Sequence, residues 1–302
     1  MNNIIFGVYN GYNSLKTPNG GIYYFLKSLR KYNSDCKVVI ICETNNIFEE
    51  LVTFSNEMNF EIYSNFTTKY NMMYYRFELY NDYLKKNIFN KVLLSDINDV
   101  IFQEDPFSIN FTEDLYCALE QSILSDNNNH SSRLNMRWID ECNHLSENNY
   151  NNYKNKYVVC AGTILGNYDG IIKYLEFYKD TQNIKIVNDQ GFLNVYVYNF
   201  LSSKKCLEFK KSKILTLDKI KFETLNIENN SIVNNNGEKY SIIHQINRCN
   251  LPFMLNIACD DYRNDSKRTP SCQRDRREDY STPPQGSNFR DSKSNIFTRR
   301  GR

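Results

Sequence analysis

Residues 91–107 read KVLLSDINDVIFQEDPF, with Asp96 and Asp99 standing between two apolar runs, Val92-Leu93-Leu94 and Val100-Ile101-Phe102. A buried strand that stops at carboxylates sets them at the rim of a sheet, beyond its carboxyl end, where open α/β sheets bind ligands. Two hard oxygen donors in that place suit a divalent cation carrying a phosphate-containing substrate. Asn98, inside the same DxxD element, offers a further oxygen, and a tight turn lets Asp96 and Asp99 face one side. Asp and Asn also cap strand-to-turn junctions. The flanking apolar runs and the closing Asp105-Pro106-Phe107 favour the metal role here.

Three further groups of residues carry possible chemistry. In DQGFLN, Asp189 and Gln190 stand just before an apolar helical run and can hydrogen-bond sugar hydroxyls. An Asp at a helix start also serves as an N-cap, favoured by the helix dipole. His244, in SIIHQINR, ends a short apolar run, and a neutral imidazole there can complete a metal site begun by Asp96 and Asp99. The alternative is a histidine that is merely hydrogen-bonded. Cys160-Ala161-Gly162-Thr163 places small residues at a strand, which permits either close ligand approach or close packing. His130 and His144 lie in a polar stretch and receive no role.

The elements that must position these groups alternate between strand-like and helix-like. Strands are expected over residues 3–8, 36–42, 60–63, 91–95 and 157–165, with short ones over 214–217 and 241–244. Helices are expected over 20–31, 47–58, 74–86 and 169–180, and a helix or helix-strand piece over 189–200. Continuous apolar runs such as CKVVIIC suit parallel strands buried on both faces. The alternation predicts βαβ units, hence an α/β fold with a mostly parallel central sheet covered by helices. Residues 127–155 are polar and Asn-rich and read as a functional loop or a partly helical excursion that selects the acceptor. No internal repeat occurs.

Composition narrows the class. The chain has 302 residues, 41% of them hydrophobic and 14% aromatic, enough for a sizeable core. A formal charge of +2 supplies no bulk field for nucleic acid or an anionic membrane, so neither is expected as a partner. The nine cysteines are scattered without CxxC spacing, and Cys36, Cys42, Cys117 and Cys160 sit in apolar runs, as reduced buried thiols do. The start, MNNIIFGVYNGYN, lacks the basic and apolar regions of a secretory signal. No stretch of about 18 apolar residues occurs, so no membrane span and a cytoplasmic location are expected. Residues 261–302 turn abruptly from Lys-rich to Arg-, Ser-, Pro- and Asp-rich with little to bury, which predicts a disordered tail behind a domain at 1–260.

The four motifs, in this order over most of residues 1–255, resemble nucleotide-sugar-dependent glycosyltransferases of the GT-A fold. The resemblance is nearest to glycogenin-like family 8 enzymes and to the glycosyltransferase domain of collagen lysyl hydroxylases. It implies a GT-A-like, Rossmann-like fold and a metal, Mn2+ or Mg2+, held by Asp96, Asp99 and His244 with the donor diphosphate. It also implies that Asp189 and Gln190 lie near the transferred sugar and acceptor, and that Ala161 and Gly162 lie beneath the sugar. Arg76 takes the place of a basic residue contacting the donor, and Val8, Tyr9 and Asn10 that of the loop cradling the nucleoside base. Two departures stand out. Asn98 occupies the second acidic position of a strict DxD, and HQINR replaces the usual C-terminal phosphate-binding element, where Arg248 offers a cation.

The function implied is metal-dependent transfer of a hexose from a nucleoside-diphosphate sugar to a hydroxyl of a glycan or protein acceptor, with retention suggested by the DQ element. A degenerate, non-catalytic sugar-nucleotide-binding domain is one alternative. A metal-dependent phosphohydrolase is another, although Asn98 breaks the pattern that chemistry wants.

Overall fold

The computed structural model describes residues 2–10, 15–16, 20–64, 72–142, 153, 155–180, 188–208 and 210–248. The expected tail, 261–302, and His144 lie outside the described residues.

The first half winds as expected: β1 (Ile4–Tyr9), α1 (Ile22–Tyr32), β2 (Lys37–Cys42), α2 (Glu49–Met58), β3 (Glu61–Tyr63), α3 (Met72–Leu84) and β4 (Lys91–Ser95). β3, β2, β1 and β4 lie side by side and all run parallel. Successive side chains of a strand point to opposite faces, so a continuous apolar run fills two cores at once. On β1, Ile4, Phe6 and Val8 join one apolar cluster, whereas Ile5 and Tyr9 join another. Val92 and Leu94 on β4 go with the first, Leu93 with the second. The first cluster is closed by Phe77 and Tyr80 of α3, and the second by Phe25 and Leu29 of α1 and Phe54 of α2. Helices therefore cover both faces, and the α/β architecture that the resemblance implies is the one observed.

The second half completes the sheet with β7 (Tyr157–Asn167), β6 (Leu115–Ile123) and β8 (Lys204–Glu208), giving the order β3-β2-β1-β4-β7-β6-β8. β7 is antiparallel to both β4 and β6, while β8 is parallel to β6. β7 alone thus opposes the common direction. Its antiparallel pairing runs the CAGT segment back toward the carboxyl end of β4, with Thr163 opposite Ser95. Behind it stand α5 (Tyr168–Asp180) and α6 (Asp189–Val195), which continues into a wider turn over Tyr196–Phe200.

A second, three-stranded sheet pairs β5 (Val100–Phe102) with β12 (Ile242–His244) and β12 with β9 (Ile214–Thr216), and between β9 and β12 the chain forms an antiparallel pair of β10 (Asn226–Glu228) and β11 (Ser231–Val233). The polar stretch at 127–155 contains a regular helix, α4 (His130–Glu141), capped by the Asn129 side chain, which accepts from Ser131 N–H at 3.0 Å. The remainder of that stretch beyond residue 142 is described only at Tyr153 and Asn155.

Candidate metal centre and adjoining cavity

The second sheet assembles the acidic turn with the distant histidine. In the β5–β12 register His244 stands opposite Val100, so it lies beside Asp99, and Ile246 N–H donates to the Asp99 carbonyl at 3.1 Å. His244 Nε2 lies 3.5 Å from Asp96 Oδ2 and 3.7 Å from Asp99 Oδ1. One ligand atom from each of Asp96, Asp99 and His244 falls within 4.8 Å of the others, the spacing of a shared cation. The side chain of His244 is 3% exposed but that of Asp96 is 34% exposed, so the cluster is open on its carboxylate side. The other ring nitrogen, Nδ1, lies 3.3 Å from Cys160 Sγ. With Nδ1 turned to the thiol, Nε2 is the ring atom that faces the carboxylates, as a proton donor to them or, once deprotonated, as a ligand to a cation between them.

Glycine is required where the strand passes this cluster. A Cβ on Gly162 would overlap the His244 imidazole and stand 2.8 Å from Asp96 Oδ2. Asp96 N–H also donates to the Gly162 carbonyl at 2.8 Å, which ties the acidic turn to β7. On the other side Gly21, with φ 115°, donates its N–H to the Asn98 carbonyl at 2.6 Å, and a Cβ on Gly20 would strike that same carbonyl. Asn98 thus contributes its backbone to holding the turn against the start of α1.

Arg76 backs the centre from α3. It is 4% exposed, and its guanidinium bonds Asp96 Oδ1 at 3.3 Å and pairs with Asp189. Burial opposes its charge, but Asp189, Tyr80 and Asp96 outweigh burial and hold its pKa above the ordinary arginine value. Burial likewise works against the charge of Asp96, yet the hydrogen bond from His244 and the Arg76 charge keep its carboxyl below the usual range. Asp99 is raised, by burial and by its neighbour Asp96, with His244 opposing. Burial disfavours a charged His244, yet Cys160, Asp96 and Asp99 raise its pKa well above the usual histidine value. Two carboxylates crowded around one proton-holding ring make a site whose charge a divalent cation would balance.

Asp189 and Gln190 open α6 beside this cluster. The N-cap is Asn188, not Asp189: Asn188 Oδ1 accepts from Gln190 N–H at 2.9 Å and from Gly191 N–H at 3.2 Å. That leaves the Asp189 carboxylate for Arg76. Gln190 is held on three sides. Its Nε2 donates to Glu120 Oε1 at 3.2 Å and to Asn135 Oδ1 at 2.8 Å, and its Oε1 accepts from Ala161 N–H at 3.3 Å. Glu120, on β6, is 5% exposed, and burial above all, then Asp218, pushes its carboxyl up to about 7.

These residues line a cavity of about 370 Å³ next to the metal centre, to which α4 contributes Leu134 and Trp138. Asp218 and Gln245 also line it, and both have left-handed backbones, φ 34° and 65°. Asp218 N–H donates to Gln245 Oε1 at 2.9 Å, which couples the two. Non-glycine residues held in that region concentrate at functional sites. Arg248 lines the same cavity and its guanidinium lies 3.4 Å from Asp218 Oδ1, so its charge is already partnered.

Tyr9 and Asn10 line a separate hollow of about 210 Å³ with Glu43, Asn46 and Met72, at the carboxyl ends of β1 and β2. Val8 instead points into the core on the α3 side. Cys36, Cys42, Cys117 and Cys160 are buried free thiols. Sequence reasoning missed Glu120, Asn135, Asn188 and Asp218. A lone acid inside the apolar run LYCALEQSI was the one available signal for Glu120.

No protein-family model matches the chain, and no curated protein matches it. Among solved structures the chain is similar to the crystal structure of the glycosyltransferase GlyE of Streptococcus pneumoniae TIGR4, at 15% identity and a TM-score of 0.41. The match covers 80% of this chain and 54% of that one, so this chain spans about half the length of that protein. The likeness is distant, and the functional reading rests on the side chains described above.

Proposed function

We propose that the protein is a metal-dependent glycosyltransferase that moves a hexose from a nucleoside-diphosphate sugar to an acceptor hydroxyl. The observation that carries this reading is the convergence of Asp96, Asp99 and His244 ligand atoms within 4.8 Å at the carboxyl end of the central sheet. Two carboxylates and an imidazole form a donor set for Mn2+ in preference to Mg2+, since imidazole is a softer ligand than magnesium favours. Gly162 fits this reading, because any side chain there would occupy the space between the ligands. When bound, the cation supplies Lewis-acid stabilisation of the diphosphate leaving group.

The chain's own residues support the rest. Arg76, buried and paired with both Asp96 and Asp189, fixes the carboxylates on either side of the donor position and keeps a positive charge near the diphosphate. Gln190 presents an amide of fixed orientation at the boundary between the metal centre and the cavity. The hollow at Tyr9 and Asn10 is the place for the nucleoside base. In the transfer, a bond forms between the sugar C1 and the acceptor oxygen, the C1–O bond to the β-phosphate breaks, and the hydroxyl proton is released along with the nucleoside diphosphate. The degenerate binding domain shares all of these features except turnover.

The test is turnover of a panel of uridine- and guanosine-diphosphate hexoses, including slow donor hydrolysis, with manganese present. The wild-type chain is expected to release nucleoside diphosphate only with the metal, and Asp99→Ala to lose about a hundredfold or more of that rate. Equal rates in the two proteins would contradict the metal assignment. Tight nucleotide binding with no release in either would favour the non-catalytic alternative.

A further inference from the structure

We infer that the cavity beside the metal centre seats a carbohydrate acceptor, and not a protein side chain, with the indole of Trp138 beneath the sugar's apolar face. The inference rests on the glycosyl-transfer reading and adds the chemical class of the acceptor to it. The cavity holds about 370 Å³, room for one or two sugar rings beside the donor. Its lining combines two kinds of surface. The α4 helix contributes Leu134 and the half-buried Trp138, while β6, α6 and the loop after β9 contribute Glu120, Gln190 and Asp218.

The polar members are side chains already fixed in place. Asn135 Nδ2 donates to the Ser131 carbonyl at 2.9 Å, which leaves its Oδ1 to Gln190. Asp218 takes Arg248 on one oxygen and Ser122 Oγ, at 3.4 Å, on the other. Glu120 has two acceptor oxygens and engages Gln190 with one. Asn135 and Asp218 are thus matched within the protein, and the second Glu120 oxygen is left to a ligand; a wall of fixed polar groups facing an indole suits a ligand that carries hydroxyls in a rigid array. A serine or tyrosine side chain brings one hydroxyl, and its peptide backbone would demand a matching open groove. A pyranose ring also carries an apolar face, and a tryptophan offers a large rigid surface for it at little entropic cost. Trp138 lies in the polar stretch that the sequence assigned to acceptor choice, and it is the chain's one tryptophan.

That single tryptophan makes the experiment direct. The full chain, with manganese and either uridine or guanosine diphosphate, is titrated while Trp138 emission is followed. The probes are methyl glucosides, methyl galactosides, N-acetylglucosamine, lactose, maltose and cellobiose, set against tripeptides centred on serine, threonine, tyrosine or hydroxylysine. At least one saccharide is expected to give a saturable change, and the peptides none. By calorimetry, Trp138→Ala should weaken that saccharide about tenfold, whereas Trp138→Tyr should retain most of the affinity. The inference is overturned if no saccharide binds, if peptides bind in their place, or if Trp138→Ala binds as tightly as wild type. Thermal melts with manganese and nucleotide separate the two readings. Saccharide binding without a nucleotide shift counts against the donor reading alone, and a nucleotide shift without saccharide binding overturns the acceptor assignment alone.

Discussion

Glu120 lies on β6 with one oxygen 3.2 Å from the Gln190 amide nitrogen and its carboxyl pushed up to about 7, chiefly by burial. The folded state therefore holds this proton more tightly than the unfolded chain does. Stability from the protonated form is fully present below the unfolded value of 4.5 and is lost as pH rises through about 7. The difference between those limits corresponds to about 3 kcal/mol. Glu120→Gln keeps a carbonyl acceptor for Gln190 and removes the ionisation. Thermal melts of the metal-free protein should show the variant gaining on wild type between roughly pH 5 and roughly pH 8. A difference in melting temperature that stays constant across that range would refute the assignment. In turnover, Glu120→Gln should keep kcat within a few-fold while Glu120→Leu lowers it, because only leucine leaves the amide of Gln190 without that acceptor.

At the same scale, the sequence exposed the acidic pair, the DQ element and His244, because each interrupts an apolar run with a group that burial alone would reject. It did not expose Asn188, which resembles any other asparagine in an Asn-rich chain until its Oδ1 is seen accepting from two N–H groups. The cap role weighed for Asp189 belongs to Asn188, and Asp189 is thereby left to Arg76.

The elements explain why these side chains meet. His244 and Asp99 are far apart in sequence, and the β5–β12 register brings them together. β7, antiparallel to its neighbours, passes the cluster with Gly162 where a side chain would collide with His244 and Asp96. Gly162→Ala should cost about 1–3 kcal/mol of stability through that overlap. It should also abolish the rise in melting temperature that manganese gives the wild type. A variant that melts lower but responds to manganese in full would mean that Gly162 serves packing alone.

Strands with continuous apolar runs, β1, β2 and β4, were legible because burial on both faces demands such runs. β8 was not. Its residues, KKCLE, are half-buried or exposed at the sheet edge and carry no apolar pattern. β6 was missed because Glu120, Gln121 and Ser122 cut short the run that would have marked it, and α4 was legible only as one of two readings of 127–155, the helical one, because its outer face is as polar as a loop. The direction of β7 is a tertiary property that local periodicity does not encode.

Across residues 2–248 the described parts of the chain form one α/β body, with the metal centre at the carboxyl end of its parallel strands and the cavity beside it. Among the described residues no helix is long and apolar enough to cross a membrane.

Metal-dependent transfer requires a cation bound by Asp96, Asp99 and His244, and electron paramagnetic resonance of Mn2+ reads that occupancy directly. With uridine or guanosine diphosphate present, free Mn2+ signal should fall by one equivalent per chain in the wild type, and Asp99→Ala should leave it undiminished beyond a nucleotide-only control. Equal Mn2+ uptake by the wild type and Asp99→Ala, or none by either, would contradict that occupancy.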